Sequence, residues 1–397
     1  MKQIKILAIG NSFSEDATHY LHQIAEADGI DTKVVNLYIG GCSLETHWHN
    51  IEADAKLYLY MRDGISAEKY VSIKDALQEE EWDFVITQQA SHDSGLEETY
   101  YPYIHKLFAY IKELSPTAEV VLHETWAYEI DSTHSCFVRY NHDQQQMYQS
   151  LSKAYRRAAA ELGVRMIPCG DVVQYTRSKD PFIYGQGGMS LCRDGFHMNF
   201  IYGRYLLAAT WYEVIFKNSI LSNTYIPKTV FAPDAEVDIE LLNVIKECVH
   251  KIIVGGFFMR DENCAYCMKG DLVAQFGYPC CELEHSIVYI FKEQSHKGRC
   301  IVASKHHVGE ITDLSDDERN GYFSDIAKVA KALHKAFNPD KVNYGAYADT
   351  GKHLHFHLVP KYKDEIEWGT VFEMNSGKVK LTDEEYEGLA EQVRSNL

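Results

Sequence analysis

The stretch that most constrains the fold is Lys352-His-Leu-His-Phe-His-Leu-Val-Pro360, in which histidine alternates with apolar residues. Strict alternation is typical of a β-strand, because successive side chains point to opposite faces of a sheet. The pattern predicts one face packed in a core and one face lined by His353, His355 and His357. Residues on the same face lie about 6.5–7 Å apart, so neighbouring imidazoles could share a ligand, but the outer two could not hold one ion between them.

Three interpretations of this stretch stay open from its residues alone. It could be a half-buried strand with a polar face, a simple metal site built from two histidines, or a row of imidazoles that acts on phosphate. Histidine is uncommon, and three in phase favour the phosphate interpretation, which depends on residues elsewhere in the chain.

Length and charge exclude several classes of protein. A chain of 397 residues is too long for one ordinary core, so we expect two domains. The net charge of −18 argues against a nucleic-acid partner, which would need a basic face. No signal peptide and no apolar run of about 20 residues is visible, so we expect a cytoplasmic protein with no membrane segment and with its cysteines reduced.

The first half of the chain alternates strand-like and helix-like segments, which predicts an α/β domain with a parallel sheet covered on both faces. In such sheets the site lies at the carboxyl ends of the strands. Ser12, Gly40-Gly41 and the segment 88–92 all fall there. The expected strands are 4–9, 32–38, 83–87, 118–122 and 164–168.

Ser12 follows a strand and a glycine, at the start of a helix, and Asp194 stands three residues before His197. One short loop could thus supply a general base and the carboxylate that orients it. Together with Gly-Asn-Ser and the glycine after the second strand, these motifs resemble the SGNH/GDSL hydrolases. The resemblance implies Ser12 as nucleophile, His197 as base, Asp194 as its partner, and the N–H groups of Ser12 and Gly41 as oxyanion donors.

The N-terminal half departs from that family at two places. Asn11 stands where the family usually has aspartate, and Ala90-Ser91-His92-Asp93 stands where it has Gly-x-Asn-Asp. The side-chain oxyanion donor is therefore open between Gln88, Gln89 and His92, and we take Gln89 as the candidate. A degenerate domain that has kept the fold and lost activity is the alternative.

We place the domain boundary at Val254, before Gly255-Gly256, which divides the chain into residues 1–254 and 255–397. The second half reads as a strand hairpin, a long helix and the histidine strand. With Asn343-Tyr-Gly345 and the element at His307, it resembles the histidine triad (HIT) superfamily. That resemblance implies an α+β domain with an antiparallel sheet, following the SGNH-like three-layer sandwich.

The HIT resemblance also implies residue roles. His355, the middle histidine, would attack the α-phosphorus of a nucleotide, and His357 would contact the phosphate. Asn343 would orient the histidine row, and Thr350 would take the place of a leaving-group serine. A neutral imidazole is nucleophilic near pH 7, which agrees with this chemistry.

Cys264-Ala-Tyr-Cys267 is a Cys-x-x-Cys knuckle without the βαβ surroundings of a redox motif. Some branches of the superfamily bind zinc through such a pair, a later histidine and the first triad histidine. The resemblance implies a closed structural zinc site of Cys264, Cys267, His307 and His353. His306 is an alternative to His307, an empty site with packed cysteines stays open, and Cys280 and Cys281 are expected to be buried thiols.

The sequence thus predicts a two-domain hydrolase for small ester and nucleotide substrates. The HIT domain would cleave a phosphoanhydride or phosphoramidate through a nucleotidyl-histidine, and the SGNH domain would cleave an ester. An alternative is a serine esterase regulated by a non-catalytic, zinc- and nucleotide-binding HIT module; another is a hydrolase with catalytic zinc. By resemblance we also expect a homodimer.

Overall fold

The structure is a computed structural model that describes residues 2–230, 236–255, 264–314, 316–347, 352–374 and 379–397. It divides into two compact units, Met1–Phe257 and Phe258–Leu397, called here the N-terminal and C-terminal domains. Among the helices of the described ranges, none is long and apolar enough to cross a bilayer.

A seven-stranded sheet forms the centre of the N-terminal domain. Its strands are β1 (Ile4–Gly10), β2 (Thr32–Tyr38), β3 (Tyr58–Arg62), β4 (Ile65–Val71), β5 (Phe84–Thr87), β6 (Glu119–His123) and β7 (Arg165–Ile167). They lie in the order β4-β3-β2-β1-β5-β6-β7. The expected parallel sheet is confirmed for β2-β1-β5-β6-β7, where every neighbouring pair is parallel. The central β1 is a β-branched apolar run that is buried on both faces, as such sheets require.

Helices connect these strands and pack in two groups. They are α1 (Ser12–Thr18), α2 (Leu21–Ala27), α3 (Leu44–Glu52), α4 (Ile73–Glu79), α5 (Tyr103–Leu114), α6 (Gln144–Leu162), α7 (Cys169–Thr176), α8 (Tyr202–Phe216) and α9 (Ile239–Gly255). α1, α2, α7 and α9 contact α8, whereas α3 and α4 contact α5. This is the layered α/β arrangement that the sequence predicted.

The β3–β4 hairpin was not predicted. β3 pairs antiparallel with β2, and β4 pairs antiparallel with β3 at the edge of the sheet. Asp63 and Gly64 form the turn, with φ of 51° and 83°. Two successive positive φ values are what a tight two-residue hairpin requires, and Asp-Gly is a preferred pair for it.

The C-terminal domain has a five-stranded antiparallel sheet. Its strands are β8 (Gly277–Glu282), β9 (Ser286–Phe291), β10 (Cys300–Ser304), β11 (Lys341–Gly345) and β12 (His355–Lys361), in the order β11-β12-β10-β9-β8. Its helices are α10 (Ala265–Met268), α11 (Gly270–Ala274), α12 (Asp316–Phe337) and α13 (Asp383–Arg394). α12 and α13 cover one face, where Leu358 joins the main core. The predicted antiparallel α+β fold is confirmed.

The histidine stretch differs from the prediction at its start. β12 begins at His355, so His353 lies before the strand rather than in it. His355 pairs with Ala303 and His357 pairs with Ile301, which places both imidazoles on the sheet face opposite α12 and α13. Because His353 lies outside the strand, the alternation of strand side chains does not fix the direction of its ring, which is free to point away from His355 and His357.

Candidate active sites

Ser12 begins α1 directly after β1, at the carboxyl edge of the parallel sheet. Asn11 caps the helix, and its side chain accepts a hydrogen bond from the Phe13 N–H at 3.0 Å. A Cβ on Gly10 would lie 2.3 Å from the Ser14 Oγ, so this turn needs glycine. The sequence thus presents a hydroxyl where a helix N-terminus concentrates N–H donors.

The three residues predicted as a triad lie together. The Ser12 hydroxyl is 2.9 Å from the His197 Nε2, and the His197 Nδ1 is 2.7 Å from the Asp194 Oδ2. Because a carboxylate accepts only, the His197 Nδ1 carries a proton and its Nε2 is free to accept one from Ser12. The arrangement can activate Ser12 as a nucleophile.

The Asp194 carboxylate is held charged by its surroundings. Partial burial would raise the pKa of Asp194, but the hydrogen bonds from the His197 ring and from the N–H groups of His197 and Phe196 hold this pKa below its ordinary value. Those N–H groups lie 2.8 and 3.2 Å from Oδ1. Asp194 therefore stays an acceptor for His197 across the neutral pH range.

Asn11 ties together the three segments that meet at Ser12. Its Nδ2 donates to the Cys42 carbonyl at 3.0 Å, and its Oδ1 accepts from the Gln88 Nε2 at 2.7 Å. An aspartate could not make the first bond, because it has no donor when ionised. The departure from the family's usual aspartate thus has a structural reason.

Two backbone donors face no protein acceptor. Within the described residues, the N–H groups of Ser12 and Gly41 form no hydrogen bond. Gly41 has φ of +64°, a conformation that favours glycine. These are the two N–H groups that the resemblance implied as oxyanion donors.

Gln89 is engaged elsewhere. Its Oε1 accepts from the N–H groups of Leu44 and Ala90 at 3.0 and 2.8 Å, and its Nε2 donates to the Thr99 carbonyl and hydroxyl. Gln88 is likewise bonded to Asn11 and His123. Both amides therefore hold the loop after β5, and the geometry gives no support to our expectation that Gln89 donates to an oxyanion.

Asp16 is a site residue that the sequence analysis missed. It is fully buried one helical turn after Ser12, and it accepts from the Arg193 Nη1 at 3.0 Å, the Arg204 Nε at 2.7 Å and the Met198 N–H at 2.9 Å. Arg193 and Met198 flank the Asp194–His197 loop, so Asp16 holds the loop that carries the candidate base against the helix that begins at Ser12. Its partners lie more than 175 positions away in sequence, and no local pattern discloses them.

Aromatic rings surround the candidate base. Phe196 and Phe13 lie 4.2 and 6.0 Å from the His197 ring, and Phe13 stacks on Trp126 at 4.0 Å. The Trp126 Nε1 donates to the Phe196 carbonyl, which fixes this wall. The candidate base is thus bordered by apolar, aromatic surface.

In the C-terminal domain, the hydrogen bond made by His355 leaves one of its ring nitrogens free. Its Nδ1 lies 2.7 Å from the His353 carbonyl oxygen, so Nδ1 carries the proton and Nε2 keeps a lone pair. Burial lowers the pKa of His355, against the opposing effect of that hydrogen bond, and keeps the ring neutral near pH 7. A buried neutral imidazole with a free nitrogen can attack phosphorus.

His357 lies beside His355, with ring centroids 5.3 Å apart. Burial first, then the charges of Arg299 and His355, lowers the pKa of His357 to about 3. Asn343 is opposite Val359 on β11 and shares a sheet face with both histidines, but it makes no hydrogen bond to them within the described residues. Thr350 lies outside the described residues.

Cys264, Cys267, His307 and His353 form a compact cluster, with their ligand atoms all within 4.8 Å of one another. The Cys264 Sγ is 3.3 Å from the His353 Nδ1, the Cys267 Sγ is 3.1 Å from the His307 Nδ1, and the two Nδ1 atoms are 3.3 Å apart. Nitrogen and sulfur ligands around one tetrahedral zinc ion lie about 3.4–3.8 Å apart. The four residues therefore fit zinc in identity, number and spacing.

The surroundings of this cluster favour metal binding. The His353 Nε2 lies 2.8 Å from the Ser304 carbonyl, which sets the tautomer that leaves Nδ1 as the ligand atom. The Cys267 thiol lowers the pKa of Cys264, as do the His307 and His353 rings, although burial opposes them.

The alternative ligands lie elsewhere. His306 lies 3.4 Å from Glu318 and is not part of the cluster, so the choice of His307 agrees with the geometry. Cys280 is buried in the main core and Cys281 packs partly against it.

Comparison with known proteins identifies the N-terminal part. The sequence profile of "Domain of unknown function (DUF4886)" matches residues 5–241, which is more than half of the chain. The chain belongs to the DUF4886 family. A crystal structure of a DUF4886 family protein from Bacteroides uniformis is 36% identical, covers 64% of this chain and 95% of its own, and aligns with a TM-score of 0.58.

The HIT resemblance of the C-terminal part of this DUF4886 protein is confirmed. The HIT domain profile matches residues 281–364. The adenosine 5′-monophosphoramidase hnt1 of Schizosaccharomyces pombe is 26% identical over 147 residues, which is 34% of this chain and 98% of that protein.

A structure of a proposed SGNH hydrolase from Slackia heliotrinireducens is 24% identical and covers 53% of this chain and 98% of its own, with a TM-score of 0.38.

Proposed function

We propose that this protein is a two-site hydrolase. The HIT domain cleaves a phosphoramidate or phosphoanhydride bond of a nucleotide through His355, and the N-terminal domain cleaves an ester through Ser12. The observation that supports the proposal is that each domain places a potential nucleophile beside a group that could activate it: the Ser12 hydroxyl lies 2.9 Å from the His197 Nε2, and the His355 Nδ1 lies 2.7 Å from the His353 carbonyl oxygen.

Ester cleavage would follow from the order of hydrogen bonds. His197 accepts the Ser12 proton as Oγ bonds to the acyl carbon, and the Ser12 and Gly41 N–H groups stabilise the oxyanion. His197 then protonates the leaving alcohol, and Asp194 stabilises the imidazolium in between. Water activated by His197 releases the acid and restores Ser12.

Nucleotide cleavage would use the His355 Nε2 lone pair. It bonds to the α-phosphorus as the bond to the leaving group breaks, and this gives a nucleotidyl-histidine; an amine takes a proton from solvent as it leaves, whereas a phosphate leaves as the anion. His357 would donate a hydrogen bond to a phosphoryl oxygen in that step. Water then cleaves the P–N bond to His355 and releases the nucleoside monophosphate.

Cys264, Cys267, His307 and His353 would hold one zinc ion with no open position for substrate. The ion would supply folding energy to this domain and fix the ends of the loops that carry its ligands. The HIT domain would also form a homodimer, which light scattering of the purified protein would test.

The nucleotide arm is tested by intact mass spectrometry after brief incubation with adenosine 5′-phosphoramidate. The proposal expects an AMP adduct on the wild type and none on His355→Ala. If neither adduct nor AMP release is seen while the nucleotide binds, the HIT domain is a binding module, and the effect of His355→Ala on ester cleavage then measures regulation.

The ester arm is tested with p-nitrophenyl acetate and a fluorophosphonate probe. We expect labelling and turnover that Ser12→Ala abolishes and His355→Ala leaves unchanged. A wild-type protein that neither reacts with the probe nor cleaves any short acyl ester would show that the N-terminal domain is not an esterase.

A further inference from the structure

A buried cation lies directly behind His357. Arg299, directly before β10, is fully buried, and its Nη2 lies 3.4 Å from the His357 Nδ1. The guanidinium is packed between the rings of Phe291 and Phe372, at 4.3 and 5.0 Å from their centroids. An arginine so deep in a small domain needs a reason, because burying a charge is costly.

The guanidinium keeps its charge in this position. The Glu293 carboxylate lies 3.6 Å from its Nη1. The Nη2 also donates to the Met374 carbonyl at 2.9 Å, and the Nη1 donates to the Glu373 carbonyl at 3.2 Å. Burial lowers the pKa of Arg299 only to about 10, so it stays protonated near neutral pH.

The contact with Arg299 decides which nitrogen of His357 carries the proton. A guanidinium has donors only, so the His357 Nδ1 must accept, and the single proton of the neutral ring then sits on Nε2. His355 has the opposite arrangement, since its Nδ1 donates to the His353 carbonyl and its Nε2 keeps the lone pair. Two neighbouring imidazoles of one strand are thereby given opposite tautomers.

We propose that Arg299 is a positioning residue that fixes His357 as a hydrogen-bond donor toward the phosphoryl group held at His355. The positive charge behind Nδ1 draws electron density from the ring and makes the Nε2–H a stronger donor. What receives this hydrogen bond rests on the proposed nucleotide chemistry, whereas the tautomer itself is a property of the resting protein.

Kinetics of adduct formation test the proposal. Arg299→Met removes both the donor and the charge, whereas Arg299→Gln keeps an amide N–H for Nδ1 without the charge. We expect Arg299→Met to lower the rate of adduct formation at saturating phosphoramidate by ~10- to 100-fold with little change in KM, because the donor acts on the transition state. Arg299→Gln should recover part of that loss.

Lys361→Met is the matched control. Lys361 is a second buried cation of this domain, and it donates to the carbonyls of Glu367 and Thr370; within the described residues it makes no hydrogen bond to His357. Its loss removes a buried charge and loosens the same C-terminal segment, yet it should change adduct formation by less than about threefold. Equal losses in Arg299→Met and Lys361→Met would overturn the proposal.

Nitrogen NMR of the resting wild-type protein reports which ring nitrogen of His357 carries the proton, and a general loss of packing would not reproduce this signal. The His357 signals, assigned by their loss in His357→Asn, should show an acceptor-type Nδ1 and a protonated Nε2, and Arg299→Met should mix the two tautomers. A proton on Nδ1 in the wild type would overturn the proposal. If the wild type forms no adduct, the proposed nucleotide function fails, and the NMR result still decides the role of Arg299.

Discussion

Replacing Asp16 with asparagine tests how the nucleophile and base of the N-terminal domain are held together. The carboxylate is fully buried and accepts from Arg193, Arg204 and the Met198 N–H. Asparagine keeps one acceptor oxygen but points an N–H₂ group at one of these donors. It also removes the negative charge beside Arg204, which is almost fully buried. Removing one partner of a buried ion pair costs about 3–5 kcal/mol. Because Glu15 lies 3.5 Å from Arg204 and still offsets part of its charge, we expect about 3 kcal/mol for Asp16→Asn.

The same change should displace the Asp194–His197 loop, since Arg193 and Met198 are its two ends. A shift of about 1 Å in a catalytic group can lower kcat by roughly 100-fold, and we expect a loss of that order with KM nearly unchanged. Urea unfolding followed by tryptophan fluorescence reports mainly on this domain, which holds four of the five tryptophans, Trp48, Trp82, Trp126 and Trp211.

Asp325→Asn is the matched control for Asp16→Asn. Asp325 is a fully buried aspartate of the C-terminal domain that accepts from the His285 N–H, the Ser286 hydroxyl and Lys328. It should leave both this fluorescence transition and ester cleavage unchanged. A loss of under about 1 kcal/mol in Asp16→Asn together with normal labelling of Ser12 would refute the reasoning.

Three further predictions concern other parts of the molecule. Asn11→Asp should slow labelling of Ser12 by about tenfold, since a carboxylate repels the Cys42 carbonyl that the amide now binds; Asn11→Ala, which removes the bond without repulsion, should cost less. We expect elemental analysis to give one equivalent of zinc for the wild type and none for Cys264→Ser, which should also lower the melting temperature of the HIT domain, whereas full zinc occupancy in that variant would contradict the four-ligand site. Burial lowers the pKa values of His47 and His123 from about 6.5 to about 3, so the unfolded chain binds more protons than the native one between these pH values. These two histidines should therefore contribute about 4 kcal/mol to the fall in the free energy of unfolding of the N-terminal domain from pH 7 to pH 5, and His47→Gln should reduce that fall by about 2 kcal/mol.

Strands in the sheet interior were predictable because burial on both faces favours apolar, β-branched segments, as in β1. The edge hairpin was not, because β4 is exposed along almost its whole length and carries no such signal. Only the Asp63-Gly64 turn could have disclosed it. The α8 helix was missed for the opposite reason: it is buried nearly all round, so it has no polar stripe to give a helical period.

The sequence also could not predict site residues whose hydrogen-bond partners lie far away along the chain. Ser12 and the Asp194–His197 pair could be found because chemistry restricts their types and local spacing. Asp16 could not, since an aspartate in the first turns of a helix is ordinary in sequence, and only the fold brings Arg193 and Arg204 to it. Gln89 shows the converse: its position after β5 suggested a donor, but only the structure reveals that Thr99 takes both of its amide hydrogens.

Histidine shows most clearly why a motif alone does not fix chemistry. Behind the Nδ1 of His197 lies a carboxylate, behind that of His355 a backbone carbonyl, and behind that of His357 a guanidinium. The first two groups accept a hydrogen bond from Nδ1 and so leave a lone pair on Nε2, whereas the third donates to Nδ1 and so leaves a proton on Nε2. The same side chain can thus be a candidate base, a candidate nucleophile or a candidate donor, because the group hydrogen-bonded to its Nδ1 decides whether its Nε2 accepts or donates. Arg299 lies 58 positions before His357, so the His-x-His-x-His pattern cannot by itself say which imidazole attacks and which one donates.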